Sequence, residues 1–117
     1  MEELKDILSQ SQILQKAEEN LRFRQKWLND GFIQISNRLL RNTTVSVGAR
    51  VLYMLLMSRC FSKDFSYPGI ETLRAELGVA SNDTVYSYMK ELTDNDWVTV
   101  KRRGQGKTNL YFLNKIK

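Results

Sequence analysis

The most concentrated charge in the sequence lies near its C-terminal end, in residues 101–107, which we call the basic loop. Its cations, with no acidic residue among them, are Lys101, Arg102, Arg103 and Lys107. Such side chains bind phosphate oxygens, since each is positively charged and donates hydrogen bonds. The loop is completed by Gly104, Gln105 and Gly106, and its glycines let the backbone approach a phosphate closely. The loop therefore predicts phosphate binding, with an ordinary charged hairpin tip as the alternative.

The basic loop also resembles the end of a nucleotide-binding P-loop, because a Gly-Lys-Thr sequence begins at Gly106. That motif needs an earlier glycine five positions before, where this chain has Lys101. Its lysine and threonine should also open a helix, whereas residues 109–112 have the composition of a strand. We therefore predict no ATP site here.

The composition excludes most catalytic chemistry. The sequence contains no histidine and a single cysteine, Cys60. Zinc sites and catalysis by Ser-His-Asp or Cys-His groups are excluded, and so is an internal disulfide. No convincing pair of carboxylates stands in for them. We predict a protein that is not an enzyme and that uses neither a metal nor a cofactor.

The distribution of charge indicates an anionic partner for most of the chain. Residues 1–30 carry five basic and six acidic side chains, whereas residues 31–117 carry thirteen basic and seven acidic ones. The longer part therefore carries +6 and the first 30 residues −1, which gives the net +5 and resembles the charge of a domain that binds nucleic acid. The lone cysteine fits a reducing compartment, and no apolar run approaches the ~20 residues of a bilayer span. We predict a cytoplasmic protein without membrane association.

A second group of polar residues lies on one face of a helix predicted over residues 81–92. Val85, Met89 and Leu92 recur at helical spacing and should face the core. The outward positions are then Ser81, Asn82, Asp83, Thr84, Tyr86, Ser87 and Lys90. Amide, hydroxyl and ammonium groups on one helix face can read base edges in the major groove of DNA. A solvated helix face is the alternative.

Individual residues of this face suggest different contacts. Asn82 matches the edge of adenine, Ser87 can pair with several bases, and Lys90 suits guanine or a phosphate. Tyr86 is long enough to reach a phosphate or a thymine methyl group. Asp83 repels phosphate, unless it caps the helix or reads cytosine.

Two more helices are predicted before this one. Residues 47–60 are apolar enough to form the centre of the core, and Ser46 is suited to cap their N-terminus. Residues 70–77 form the next helix, which Gly69 begins and Gly78 ends. Together with the helix over residues 81–92, these elements predict a helix-turn-helix.

Strands are predicted on both sides of the basic loop. Residues 97–101 and 109–113 are rich in β-forming side chains and should pair as a hairpin whose tip is the loop. A further short strand is predicted at residues 31–35. Residues 64–68 are predicted to be a loop. The expected class is α+β, mainly helical: a three-helix core with a β-hairpin wing, preceded by a long N-terminal helix.

The N-terminal helix is predicted over residues 2–28, within a separate segment, 1–30. One position of a heptad pattern is consistently apolar, and it is occupied by Ile7, Leu14, Leu21 and Leu28. The second seam position is not, so the pattern is half a heptad. Two interpretations stay open: the helix packs on its own domain, or it is a dimerisation arm that pairs with a second copy.

Residues 32–113 resemble the winged-helix domains of plasmid and phage replication initiators and of related small bacterial regulators. The matching segments are 32–35, 38–40, 52–56, 67–73, 77–79, 84–86, 91–92 and 103–111. The family often has Ser where Gly69 stands and Gly where Asp96 stands. These two departures leave the pattern of helices, turn and wing intact.

The resemblance implies a DNA-binding domain over residues 31–117. Its expected function is sequence-specific binding of double-stranded DNA, in replication initiation or transcription regulation. The expected homodimer comes instead from the N-terminal helix and would prefer two half-sites spaced by about one helical turn. The alternative is a winged helix that serves as a protein–protein interaction module and does not bind DNA.

Overall fold

The computed structural model describes residues 9–114, apart from the side chains of residues 27 and 28. The chain divides into two compact units, Met1–Phe32 and Ile33–Lys117. Among the described residues, no helix is both long enough and apolar enough to cross a bilayer.

The described part of the first unit forms one long helix, α1 (Gln10–Asp30). Ser9 begins it with a reciprocal cap: its Oγ accepts the Gln12 N–H at 3.3 Å, and its own N–H donates to Gln12 Oε1 at 2.9 Å. The helix ends before Gly31, whose φ of +85° suits a residue without a Cβ. Helix formation is thus as predicted over the part described, while residues 2–8 lie outside it.

The side chains of two of the four proposed seam residues lie in the described part of α1. Leu14 and Leu21 are 66% and 63% exposed on α1. Ile7 and the side chain of Leu28 lie outside the described residues. Dimerisation through these four residues stays a prediction.

Up to residue 114, the second unit combines four helices with a small sheet. The helices are α2 (Asn37–Leu40), α3 (Val47–Ser58), α4 (Ile70–Leu77) and α5 (Asn82–Asp94). The strands are β1 (Phe65–Ser66), β2 (Val98–Lys101) and β3 (Leu110–Leu113). The sheet is antiparallel throughout, with β3 in the centre and β1 and β2 as its edges. The predicted class, α+β and mainly helical, is confirmed.

The buried core explains why the helices form where they do. Apolar residues at helical spacing on α3, α4 and α5 meet in one cluster. The fully buried members on these helices are Ala49, Leu52, Leu56, Leu73, Val85 and Leu92. Trp97 closes the cluster beside the sheet, where its ring meets Tyr53 edge to face at 5.9 Å.

The turn between α4 and α5 follows from glycine chemistry. Gly78 adopts a left-handed conformation, φ +71°, and its N–H reaches the carbonyls of Arg74 and Ala75. Val79 then packs against the core. At the other end of α4, Gly69 takes the N-cap position without a side-chain hydrogen bond. A serine there, as in the resembling family, would add such a bond.

A carboxylate fixes α5 against the beginning of α3. Glu91 Oε1 accepts the Ser46 N–H at 2.9 Å, and Oε2 accepts the Ser46 hydroxyl at 2.6 Å. Ser46 Oγ in turn accepts the Ala49 N–H at 3.3 Å, which caps α3. The last turns of α5 and the first turn of α3 are therefore joined by one hydrogen-bonded group.

The two helices also approach closely at Gly48. A Cβ placed on Gly48 would overlap the ring of Tyr88, a half-buried residue of α5. Helical packing at this distance requires that residue 48 has no side chain. The sequence contains no signal for this requirement, since Gly48 lies inside an otherwise ordinary helical pattern.

The predicted strand at residues 31–35 is wrong. Residues 31–36, all of them described, form no strand, and Phe32 is 69% exposed. Strand β3 is instead paired on its second side with β1, at residues where we expected a loop: Phe65 lies opposite Phe112, and Ser66 opposite Tyr111. With β2 on one side and β1 on the other, β3 has no free side with which residues 31–35 could pair.

The hairpin begins one residue later than expected. Trp97 precedes β2, and its N–H donates to Leu92 O at 2.9 Å as part of the helix end. Asp96 before it has a φ of +62°. A left-handed conformation is unfavourable for most side chains, which accounts for the glycine found at this position in the resembling family.

We predict that Gly48→Ala destabilises the protein by about 1–3 kcal/mol, because the new methyl group overlaps Tyr88. Ordinarily the same change inside a helix stabilises by roughly 0.5–1 kcal/mol. Chemical denaturation measures the difference. In a Tyr88→Ala background the penalty should disappear, and an unchanged penalty there would contradict the close-approach explanation.

Candidate nucleic-acid interface

The outward face of α5 presents most of the predicted residues to solvent. Ser81, Asp83, Tyr86, Ser87 and Lys90 are exposed. Asn82 and Thr84 are half-buried. On the opposite, core-facing side of the helix, Val85, Met89 and Leu92 are buried, as their spacing predicts. The face therefore offers hydroxyl, phenol and ammonium groups along one side of the helix.

Several of these groups already have partners within the protein. Lys90 Nζ lies 3.1 Å from Asp94 Oδ2, an exposed pair one helical turn apart. The hydroxyls of Ser81 and Thr84 lie 3.3 Å from each other. Exposed pairs of this kind are weak, so they can be exchanged for a stronger partner such as a phosphate.

Asn82 has a more specific partner. Its Nδ2 donates to Glu71 Oε1 at 3.0 Å, which joins the first residue of α5 to α4. Arg74 Nη2 donates to the other oxygen, Glu71 Oε2, at 3.1 Å. Hydrogen bonding from Asn82 first, and then from Arg74 with its charge, holds the pKa of the Glu71 carboxyl below its usual range. Glu71 is therefore a carboxylate acceptor at neutral pH.

The basic loop is exposed along its whole length, residues 101–107. Gly104 and Gly106 have φ values of +101° and +78°, which explains why glycine occurs at both positions. The Lys107 N–H donates to Gly104 O at 3.4 Å and closes a tight turn. The turn holds the loop's cations around a small, glycine-rich tip.

Arg103 differs from the other cations of the loop because it is engaged at both ends of its guanidinium group. Its Nε donates to Thr108 O at 2.7 Å, and its Nη2 donates to Thr108 Oγ1 at 2.9 Å. The guanidinium also lies 5.5 Å from the ring centroid of Tyr67. Arg103 therefore braces the loop against its own C-terminal side and against the segment that precedes α4.

The remaining cations of the loop are placed differently. Within residues 9–114, ion pairs join Arg59 to Glu76, Arg74 to Glu71 and Lys90 to Asp94. None of these pairs uses a cation of the basic loop. Lys101, Arg102 and Lys107 are therefore exposed positive charges that no carboxylate of the described residues neutralises.

A groove of about 400 Å³ runs between α5 and the hairpin. Tyr86 and Lys90 line it from α5, and Arg102 lines it from the hairpin. Met89 and Tyr111, 7% and 2% exposed, form buried parts of its lining. Burial raises the pKa of the Tyr111 phenol, which stays neutral at physiological pH. The groove thus brings polar groups of α5 and one cation of the loop to a common space.

The site combines residues that the sequence identified with some that it did not. Tyr86, Lys90 and Arg102 were predicted and share the groove. Tyr67 and Glu71 were not predicted as site residues, because their roles depend on contacts across the fold. The described residues contain no group of three His, Cys, Asp or Glu side chains suited to a metal ion.

Two solved structures share this fold. One is described as the N-terminal domain of a DNA-binding protein; it is 20% identical, with a TM-score of 0.58, and the match covers 78% of this chain and 79% of that one. The other is a Rep–DNA complex, also 20% identical, with a TM-score of 0.59 and coverage of 78% and 80%. No protein-family model matches the sequence, and no curated protein sequence matches it.

We predict that Arg103→Lys loosens the basic loop although it keeps the charge, because lysine cannot replace both hydrogen bonds to Thr108. Amide hydrogen exchange at Lys107, whose N–H closes the turn, should become about fivefold faster, as expected for the loss of roughly one hydrogen bond. Arg102→Lys is the matched control and should leave the rate unchanged. Equal rates in both variants would contradict the bracing role of Arg103.

Proposed function

We propose that this chain is a non-enzymatic winged-helix protein that binds double-stranded DNA sequence-specifically. In this proposal α5 enters the major groove and the basic loop contacts phosphates or the adjacent minor groove. The observation that carries it is the groove between α5 and the hairpin, where Tyr86, Lys90 and Arg102 come together. Polar residues of α5 and one unpaired cation of the basic loop border the same space.

The dimensions and charges of these elements suit a duplex. An α-helix with its side chains is about 10–12 Å across, and the major groove is about 12 Å wide. The exposed hydroxyl and phenol groups of Ser87 and Tyr86 can donate and accept, as base edges require. Lys101, Arg102 and Lys107 supply charge for the backbone, which is the main source of affinity in such complexes.

The two solved structures support the same function. Both share the fold over more than three quarters of this chain, one is described as part of a DNA-binding protein, and the other is a Rep–DNA complex. We infer a role in replication initiation or in transcription regulation. The first of these fits the Rep–DNA complex.

We also propose that the protein acts as a homodimer through α1. Leu14 and Leu21 are seven residues apart and therefore lie on one side of the helix, where both are largely exposed. A dimer would place two copies of α5 on DNA, with half-sites spaced by about one helical turn.

A protein-interaction module is the second candidate. Phe61 supports it: the side chain is 92% exposed and its φ is +54°, an unfavourable conformation for a bulky residue. It borders an apolar groove with Phe65 and Tyr67. Asp83, exposed on α5, also suits a protein partner better than a phosphate.

Salt titration of duplex binding distinguishes the two candidates. We predict a steep loss of affinity with salt, and that Arg102→Gln and Lys107→Gln each lower the slope by about one unit. Lys63→Gln is the control, because Lys63 lies over the Phe65 ring and does not line the groove beside α5. The absence of duplex binding at low salt would contradict DNA binding and favour the interaction module.

Light scattering tests the dimer. We predict a particle of twice the chain mass of 13.7 kDa, and that Leu14→Gln with Leu21→Gln halves it, because both apolar groups leave the seam. Lys16→Gln changes a different side of the helix and should have no effect. A monomeric wild-type protein at high concentration would show that the heptad interpretation is wrong.

A further inference from the structure

The side-chain amide of Asn82 has a fixed direction in this structure. A carboxylate only accepts hydrogen bonds, so the atom of Asn82 that lies 3.0 Å from Glu71 Oε1 must be Nδ2. The bond is charge-assisted, and such bonds are about twice as strong as neutral ones. Arg74 Nη2 donates to the second oxygen of Glu71, so both carboxylate oxygens are hydrogen-bonded.

The other end of the same amide is closed off. Asn82 Oδ1 is buried, and no group among residues 9–114 donates to it. An oxygen that solvent does not reach is equally out of reach of a base edge or a phosphate. In this conformation Asn82 can offer its surroundings only the second proton of Nδ2.

We propose that Glu71 is a specificity-determining positioning residue that holds Asn82 as a one-way hydrogen-bond donor on the DNA-facing side of α5. This inference rests on the proposed function. The ligand it implies is a hydrogen-bond acceptor on a base edge of the duplex.

The bond between Glu71 and Asn82 matters because an asparagine side chain without such a bond prefers adenine. It accepts from adenine N6 and donates to N7, and both bonds form only if the amide is free to turn. If the Asn82 amide turned to pair with adenine, it would lose its charge-assisted bond to Glu71 and gain one neutral bond to adenine. The bidentate pairing therefore brings no advantage while Glu71 is present. Guanine N7 and O6, thymine O4 and adenine N7 are then equivalent acceptors, and cytosine N4, a donor, is disfavoured.

The experiment measures duplex affinity by fluorescence anisotropy, using a duplex selected from a random pool and its single-base-pair variants. Wild type is compared with Glu71→Ala, Glu71→Gln, Asn82→Ala and the Glu71→Ala/Asn82→Ala double variant. Glu71→Gln removes the charge but retains an oxygen that accepts from Asn82. It therefore separates the hydrogen bond from the repulsion between Glu71 and DNA.

We expect Glu71→Ala to create a preference for adenine of about tenfold at one base pair, as for a bidentate contact. Glu71→Gln should stay within about threefold of wild type there, and the double variant should show no adenine preference. If Asn82→Ala weakens every duplex equally, its acceptor is a phosphate, which carries no sequence information, and the inference is overturned. If it changes the ranking at one base pair only, the acceptor is a base.

Three further results would overturn the inference while duplex binding persists. They are a wild-type adenine preference that Asn82→Ala removes, identical effects of Glu71→Ala and Glu71→Gln, and an adenine preference that survives in the double variant. Failure of the wild-type protein to bind any duplex at low salt would instead overturn the proposed function.

Discussion

The arrangement of this domain depends on how α5 lies against α3. The Glu91 carboxylate accepts both the N–H and the hydroxyl of Ser46, which ties α5 to the cap of α3. Gly48 allows the Tyr88 ring to lie directly against the α3 backbone. The buried row of α5 fills the remaining contact with the core. Because three different kinds of contact fix the inner side of α5, its outer side is a defined surface.

A similar division applies to the polar groups around that surface. Glu71 and Arg103 are exposed, but each is hydrogen-bonded to another residue of the protein and orients that neighbour. Lys101, Arg102 and Lys107 have no carboxylate partner among the described residues and remain exposed. The hydrogen-bonded groups fix the conformation of their neighbours, and the unpaired cations provide positive charge at the surface. A rigid scaffold with a few unpaired cations is the arrangement that binding to a polyanion requires.

The local features of the fold could be predicted from the sequence. Ser46, Gly69 and Gly78 mark helix ends through backbone chemistry that acts within a few residues, and apolar spacing identified the buried side of α5. Strand β1 could not be predicted, since two residues are too few to show an alternation and its pairing with β3 joins distant parts of the chain. The roles of Gly48, Tyr67 and Glu71 could not be predicted for the same reason, because they depend on partners in other elements.

The seven outward residues of α5 and the seven of the basic loop remain predicted DNA contacts. The central claim is that DNA binds at the groove between α5 and the hairpin. It is tested most directly by adding a short selected duplex to the ¹⁵N-labelled protein and following the amide resonances. The account predicts the largest shifts at Tyr86, Ser87 and Lys90 and at residues 101–107, with little change around Phe61. Large shifts around Phe61 and none at α5 or the loop would contradict it.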